Sequence, residues 1–199
     1  MLRTICGAAM AVACVLASAQ AEQKTVRVVG TIVGVDGPTI VVKQAKGDEA
    51  RVALTDKVGV FGVLRATLAD VKAGSFIGVG ATPQADGSQK AIRVMIFAEV
   101  QRGTGEGHRP WNRPGTTMTN ATVDTTVSGV EGQVLRVKYK GGEQRIIIAP
   151  DATIMAYVVG SRDELKPGAN IAINAATKKP DGSLEANRIN VGRGDVIPD

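Results

Sequence analysis

Val35-Asp36-Gly37-Pro38-Thr39-Ile40-Val41-Val42-Lys43 returns as Val130-Glu131-Gly132-Gln133-Val134-Leu135-Arg136-Val137-Lys138, an offset of 95 residues (138 − 43 = 95). Two further matches follow in the same order. Asp70-Val71-Lys72-Ala73-Gly74 is echoed by Glu164-Leu165-Lys166-Pro167-Gly168, and Ala85-Asp86-Gly87-Ser88 by Pro180-Asp181-Gly182-Ser183. Ordered matches at a nearly constant offset mark an internal duplication.

Within the duplicated unit the local pattern is that of short strands. In Leu135-Arg136-Val137-Lys138-Tyr139-Lys140 apolar and charged residues alternate, so Leu135, Val137 and Tyr139 should point inward, with Ile40 and Val42 as their counterparts. Strands are expected over 25–35, 39–44, 51–54, 75–82 and 89–100 in the first copy, and over 122–130, 134–139, 145–148, 170–177 and 184–191 in the second. Asp36-Gly37 and Asp86-Gly87 supply hairpin turns. Between the third and fourth strands, Leu64, Leu68 and Val71 have the spacing of a short helix, stopped by Lys72-Ala73-Gly74.

Five strands with a helix between the third and fourth is the order of an OB-type Greek-key barrel. The expectation is an all-β chain of two tandem OB-like five-stranded barrels, over residues 22–100 and 120–199, joined by a linker at 101–119. SH3-like barrels or a β-sandwich are the alternatives, since one sequence does not state strand order in space.

The first 21 residues read as a secretory signal peptide: Arg3, an apolar run from Ile5 to Ala17, and small residues placing cleavage near Ala19 or Ala21. The run is shorter than the roughly 20 residues that span a bilayer. A periplasmic or secreted protein is therefore expected, with no transmembrane span in the mature chain. Both cysteines, Cys6 and Cys14, lie inside this segment. Cys14 is the alternative as a lipid-attachment site, although Ala11 stands where such sites carry a larger apolar residue. Without disulfides, the mature chain relies on its core.

Composition argues mainly by exclusion. The net charge of +5 is spread among 24 basic and 19 acidic residues, with no basic stripe, and only six aromatics occur, so nucleic acid is an unlikely partner. His108 is the one histidine, no cysteine nucleophile follows the leader, and no serine sits in a nucleophile-elbow context. A zinc or copper site needs several nitrogen or sulfur ligands, and calcium-loop spacing is absent. No enzyme activity, metal or cofactor is expected. Asp56, Asp151, Asp86 and Asp181 recur in both copies and read as turn residues.

One stretch escapes the duplication. From Arg102 to Arg113 it gathers Arg102, Glu106, His108, Arg109, Trp111 and Arg113, groups able to stack, donate forked hydrogen bonds and hold an anion. These are the candidate ligand-binding residues. The competing reading has Trp111 plugging the junction between the barrels while the arginines stay solvated.

With its leader, Lys72-Ala73-Gly74-Ser75-Phe76-Ile77-Gly78-Val79 and Gly103-Thr104-Gly105-Glu106-Gly107-His108-Arg109-Pro110-Trp111, the chain resembles an uncharacterised family of bacterial envelope proteins containing a domain of unknown function. Some members carry the label metal transporter permease, which conflicts with a chain lacking a spanning segment after its leader. The resemblance implies envelope residence and brings no catalytic residues. The functional expectation is a non-enzymatic exported binding or adaptor module for an envelope protein, peptide or glycan. The alternative is a small-ligand or metal-accessory protein with its site at the linker.

Overall fold

The computed structural model describes residues 24–129 and 132–198. The expected signal peptide, its cleavage site and the residues 130–131 of the second repeat's first turn lie outside them. Eleven strands are present among the described residues: β1 (Thr25–Asp36), β2 (Thr39–Gln44), β3 (Glu49–Arg65), β4 (Phe76–Pro83), β5 (Gln89–Ile96), β6 (Gly107–Pro110), β7 (Thr117–Gly129), β8 (Gly132–Tyr139), β9 (Gly142–Val159), β10 (Asn170–Lys178) and β11 (Leu184–Gly192).

The chain is all-β and forms five-stranded closed barrels, as the repeat implies. The expected alternation holds: Ile40, Val42, Leu135 and Val137 are buried, and Tyr139 is partly buried against the same core as Leu135. The β1–β2 hairpin turns through Gly37-Pro38, with Gly37 at φ +55°, a conformation open to glycine and suited to the twist of a tight hairpin. The helix expected after the third strand is a single 3₁₀ turn, Leu68–Asp70, with Arg162–Glu164 as its counterpart. Asp70 accepts hydrogen bonds from the Thr67 amide and hydroxyl, and Glu164 accepts one from the Ser161 amide. In each copy, then, an acidic side chain closes the turn by reaching back to its start.

Strand pairing changes which residues make each barrel. One barrel closes as β1–β2–β3–β11–β10 and back to β1; the other closes as β7–β8–β9–β5–β4 and back to β7. Each therefore takes its first three strands from one repeat and its last two from the other. The parallel pairing of the third with the fifth strand, β3 with β11 and β9 with β5, is made between repeats. The expectation that residues 22–100 and 120–199 each close a barrel is corrected accordingly: they are repeats of sequence but not units of packing. The two cores reflect this, one joining Ile32, Val52, Ile171 and Ile189, the other Ile77, Val94, Leu135 and Ile146.

The cause lies in the third strands. They were expected over 51–54 and 145–148, ending near Asp56 and Asp151, yet β3 runs for 17 residues and β9 for 18. At about 3.3 Å per residue these strands overshoot one barrel wall. Their far ends pair with each other, Phe61 opposite Val159 through Arg65 opposite Met155. The chain then turns beside the other barrel, where Ala66 donates to the Ile154 carbonyl and Gly74 to the Val123 carbonyl. Asp56 and Asp151 are exposed mid-strand residues and do not make turns. Asp86 and Asp181 do, each carboxylate accepting from the amide and hydroxyl of the serine two residues on.

Candidate binding cleft between the barrels

The unduplicated segment is a folded hairpin. Its first strand, β6, pairs with the start of β7, Gly107 opposite Asn120 through Pro110 opposite Thr117. Residues facing each other across an antiparallel pair share a face, so Arg109 and Met118 lie on one side and His108 and Thr119 on the other. The loop is closed by hydrogen bonds from the Trp111 amide to the Thr116 carbonyl and from the Thr116 amide and hydroxyl to the Arg113 carbonyl.

This geometry divides the six candidates. Arg109, Trp111 and Arg113 line a cleft of about 510 Å³. His108 faces away, its Nδ1 2.8 Å from the Thr119 hydroxyl and its ring stacked near Tyr139. Glu106 accepts a hydrogen bond from the Lys140 amide. Arg102 pairs with Glu99, donates to the Gly74 carbonyl at 2.9 Å and lies over the Phe76 ring. The Glu99 carboxylate raises the Arg102 pKa and is itself lowered in return. These last three residues pin the hairpin to its barrel.

The cleft is built largely from duplicated strands. Arg188 and Asn190 come from β11, Arg93 and Met95 from β5, Arg27 from β1 and Asn174 from β10. Arg93 and Arg188 are equivalent in the duplication (188 − 93 = 95), so the exchange of strands brings both copies of one arginine to a single cleft. A sequence reading that looked for function only outside the repeats passes over this pair, although their shared offset was visible. Five arginines (27, 93, 109, 113 and 188) and five asparagines (112, 120, 174, 187 and 190) line the space, and among the described residues no Asp or Glu does.

The aromatics gather at the same place. Phe61, Tyr157, Phe97 and Phe76 form a chain of ring contacts at centroid separations of 6.5, 5.5 and 5.3 Å, running along the junction. Arg188 is held against this chain, its guanidinium carbon 4.9 Å from the Phe61 ring centre and 5.4 Å from that of Tyr157. Burial pulls the Arg188 pKa below the usual arginine value, with Tyr157 acting in the opposite sense. On the hairpin side, Arg113 lies 5.2 Å from the centre of the Trp111 ring. Arg109 donates to the Gly105 carbonyl, Asn120 to that of Thr104 and Arg27 to Asn174.

No family model, curated protein or solved structure matches the chain. Among the described residues, no three His, Cys, Asp or Glu side chains are grouped to hold a metal, and no helix is long and apolar enough to cross a membrane. The chemistry on offer in the cleft is recognition: forked cationic donors, amides that both donate and accept, and aromatic faces.

Proposed function

We propose that the protein is a binding protein that holds an anionic small ligand in the cleft between its barrels. The observation that carries this reading is the charge of the lining, where Arg27, Arg109, Arg113 and Arg188 converge and, among the described residues, no carboxylate does. In a chain with 24 basic and 19 acidic residues, a concave surface lined by cations concentrates positive potential where an anion would sit. The cleft's volume falls within the usual range of small-molecule sites, and its few convergent polar groups sit against apolar rings as such sites require. The leader expected at residues 1–21 favours an activity outside the cytoplasm, where the ligand would be an envelope or extracellular solute.

The adaptor reading has less support. Among the described residues β6 is the strand with a single neighbour, and it is four residues long and ends in Pro110, which blunts it as an edge for strand addition.

The test is a titration followed by backbone NMR with inorganic phosphate, citrate, trigalacturonate and the neutral sugar maltotriose. Shifts at Arg113, Asn120 and Asn174 with an anionic probe, weakened by salt and by Arg113→Glu, support the reading. Binding of maltotriose alone, or no shift in the cleft with any anion, rejects it.

A further inference from the structure

Resting on the anion-binding reading, we propose that Arg188 and Asn190 form the recognition end of the cleft and that they take a carboxylate with an adjacent hydroxyl, the pairing carried by a uronic acid sugar. Arg188 and Asn190 stand two apart on β11 and so project from the same face, while Ile189 between them is fully buried in the barrel core. Both line the cleft.

Each has an unmet hydrogen-bonding demand. Arg188 packs against Phe61 and Tyr157, and its buried Nε has no acceptor among the described residues. Asn190 is only 2% exposed, and its Oδ1 has no donor among them. Buried polar groups of this kind are costly when left unpaired, and two of them side by side on a cleft wall describe the complement of a ligand. The complement of the guanidinium edge is an anion, and the planar fork fits a carboxylate in two-bond register. The complement of Oδ1 is a donor.

This second demand separates ligand classes. Sulfate, which carries no proton at neutral pH, only accepts hydrogen bonds and would set oxygen against oxygen at Asn190. A carboxylate beside a hydroxyl satisfies both residues at once. The other asparagines of the lining, Asn112, Asn120, Asn174 and Asn187, extend the same preference, because amides match sugar hydroxyls in both donating and accepting. Arg188 and Asn190 thus carry a stability cost in the empty protein that the ligand removes.

The experiment is calorimetric titration of the mature protein with trigalacturonate, its methyl ester, tartrate and sulfate, alongside thermal melts of Arg188→Met and Asn190→Leu. Trigalacturonate should bind, with the ester and sulfate at least about ten-fold weaker, as loss of a charge-assisted hydrogen bond implies. Both variants should lose at least about ten-fold in affinity while melting at or above the wild-type temperature, because each removes an unpaired buried polar group. A residue with a purely structural role would lower the melting temperature instead. Tartrate binding as tightly as the trimer also supports the carboxylate–hydroxyl pairing and makes a free hydroxy acid its source. Should either variant fail to fold, Arg188→Lys, which keeps the charge and loses the fork, must lose affinity for trigalacturonate. Anions that bind in the cleft with Arg188→Met and Asn190→Leu unaffected, or sulfate binding as tightly as trigalacturonate, overturn this proposal and leave the anion-binding reading standing. No anion binding at all overturns both.

Discussion

The indole of Trp111 lies directly over Gly80, so closely that a Cβ on Gly80 would stand 2.5 Å from Cζ3 of the ring. The missing side chain on β4 is what lets the hairpin loop seat its tryptophan against the barrel and form one wall of the cleft. Gly80→Ala should displace the ring and cost about 1–3 kcal/mol, the usual range for overpacking. Trp111→Ala should cost about 2 kcal/mol, since the ring is partly exposed. In the double variant the clash is gone, so the two losses should fall short of adding. Urea denaturation of the four proteins measures this coupling, and strict additivity would mean that the ring does not rest on Gly80.

Cutting the chain between the repeats should not separate them. A protease site placed at Gly103-Thr104, in the exposed turn before β6, divides the polypeptide into two pieces that share both barrels. After cleavage the pieces should co-elute at the mass of the intact protein and part only in denaturant. Barrels each closed by one repeat would come apart into two smaller species under native conditions.

Stability should fall in acid. The Arg193 guanidinium, with help from the Ser161 amide, holds the Glu164 carboxyl below its ordinary value, and the Arg65 guanidinium does the same for Asp195. A carboxylate whose pKa is depressed by folding contributes fully above its unfolded value, about 4, and loses that contribution as pH falls through the folded value. The melting temperature should therefore stay level down to about pH 5 and then drop. Glu164→Gln should have a lower plateau and a shallower acid limb, a pattern that a pH series of thermal melts will display or rule out.

The Asp86 and Asp181 turns are equivalent in sequence and differ in setting. Asp86 also accepts from Arg145 at 3.0 Å, a contact that ties the first repeat's hairpin to β9 of the second, whereas Asp181 serves its own turn. Asp86→Asn keeps the turn and weakens the ion pair, so it should lower the melting temperature more than Asp181→Asn at low salt. The difference should close in high salt, and equal effects in both buffers would deny the cross-repeat contact any role.

The alternating stretch from Leu135 to Tyr139 and the Asp-Gly turns were legible in the sequence, because each is decided by neighbours within a few residues. Partner choice was not. Nothing local in β10 or β11 states that they pair with β1 and β3, since the second repeat's own strands offer the same alternating faces. The true length of β3 was hidden by Asp56-Lys57, polar residues that end a strand in most contexts and here are both exposed within it. The candidate site was half legible: Arg109, Trp111 and Arg113 stood out by composition, while Arg93 and Arg188 were obscured by belonging to the repeats. Their meaning depends on the exchange that brings them together.

That exchange also governs when the molecule can form. Thr25 pairs with Thr177, and β3 with β11, so the first barrel spans almost the whole described chain and closes only when the final strand has arrived, whereas the other is complete once β9 is made. Such long sequence separations slow folding. In the growing polypeptide β1, β2 and β3 keep open edges until β10 and β11 are made. The barrel begun first in the chain is therefore the one finished last.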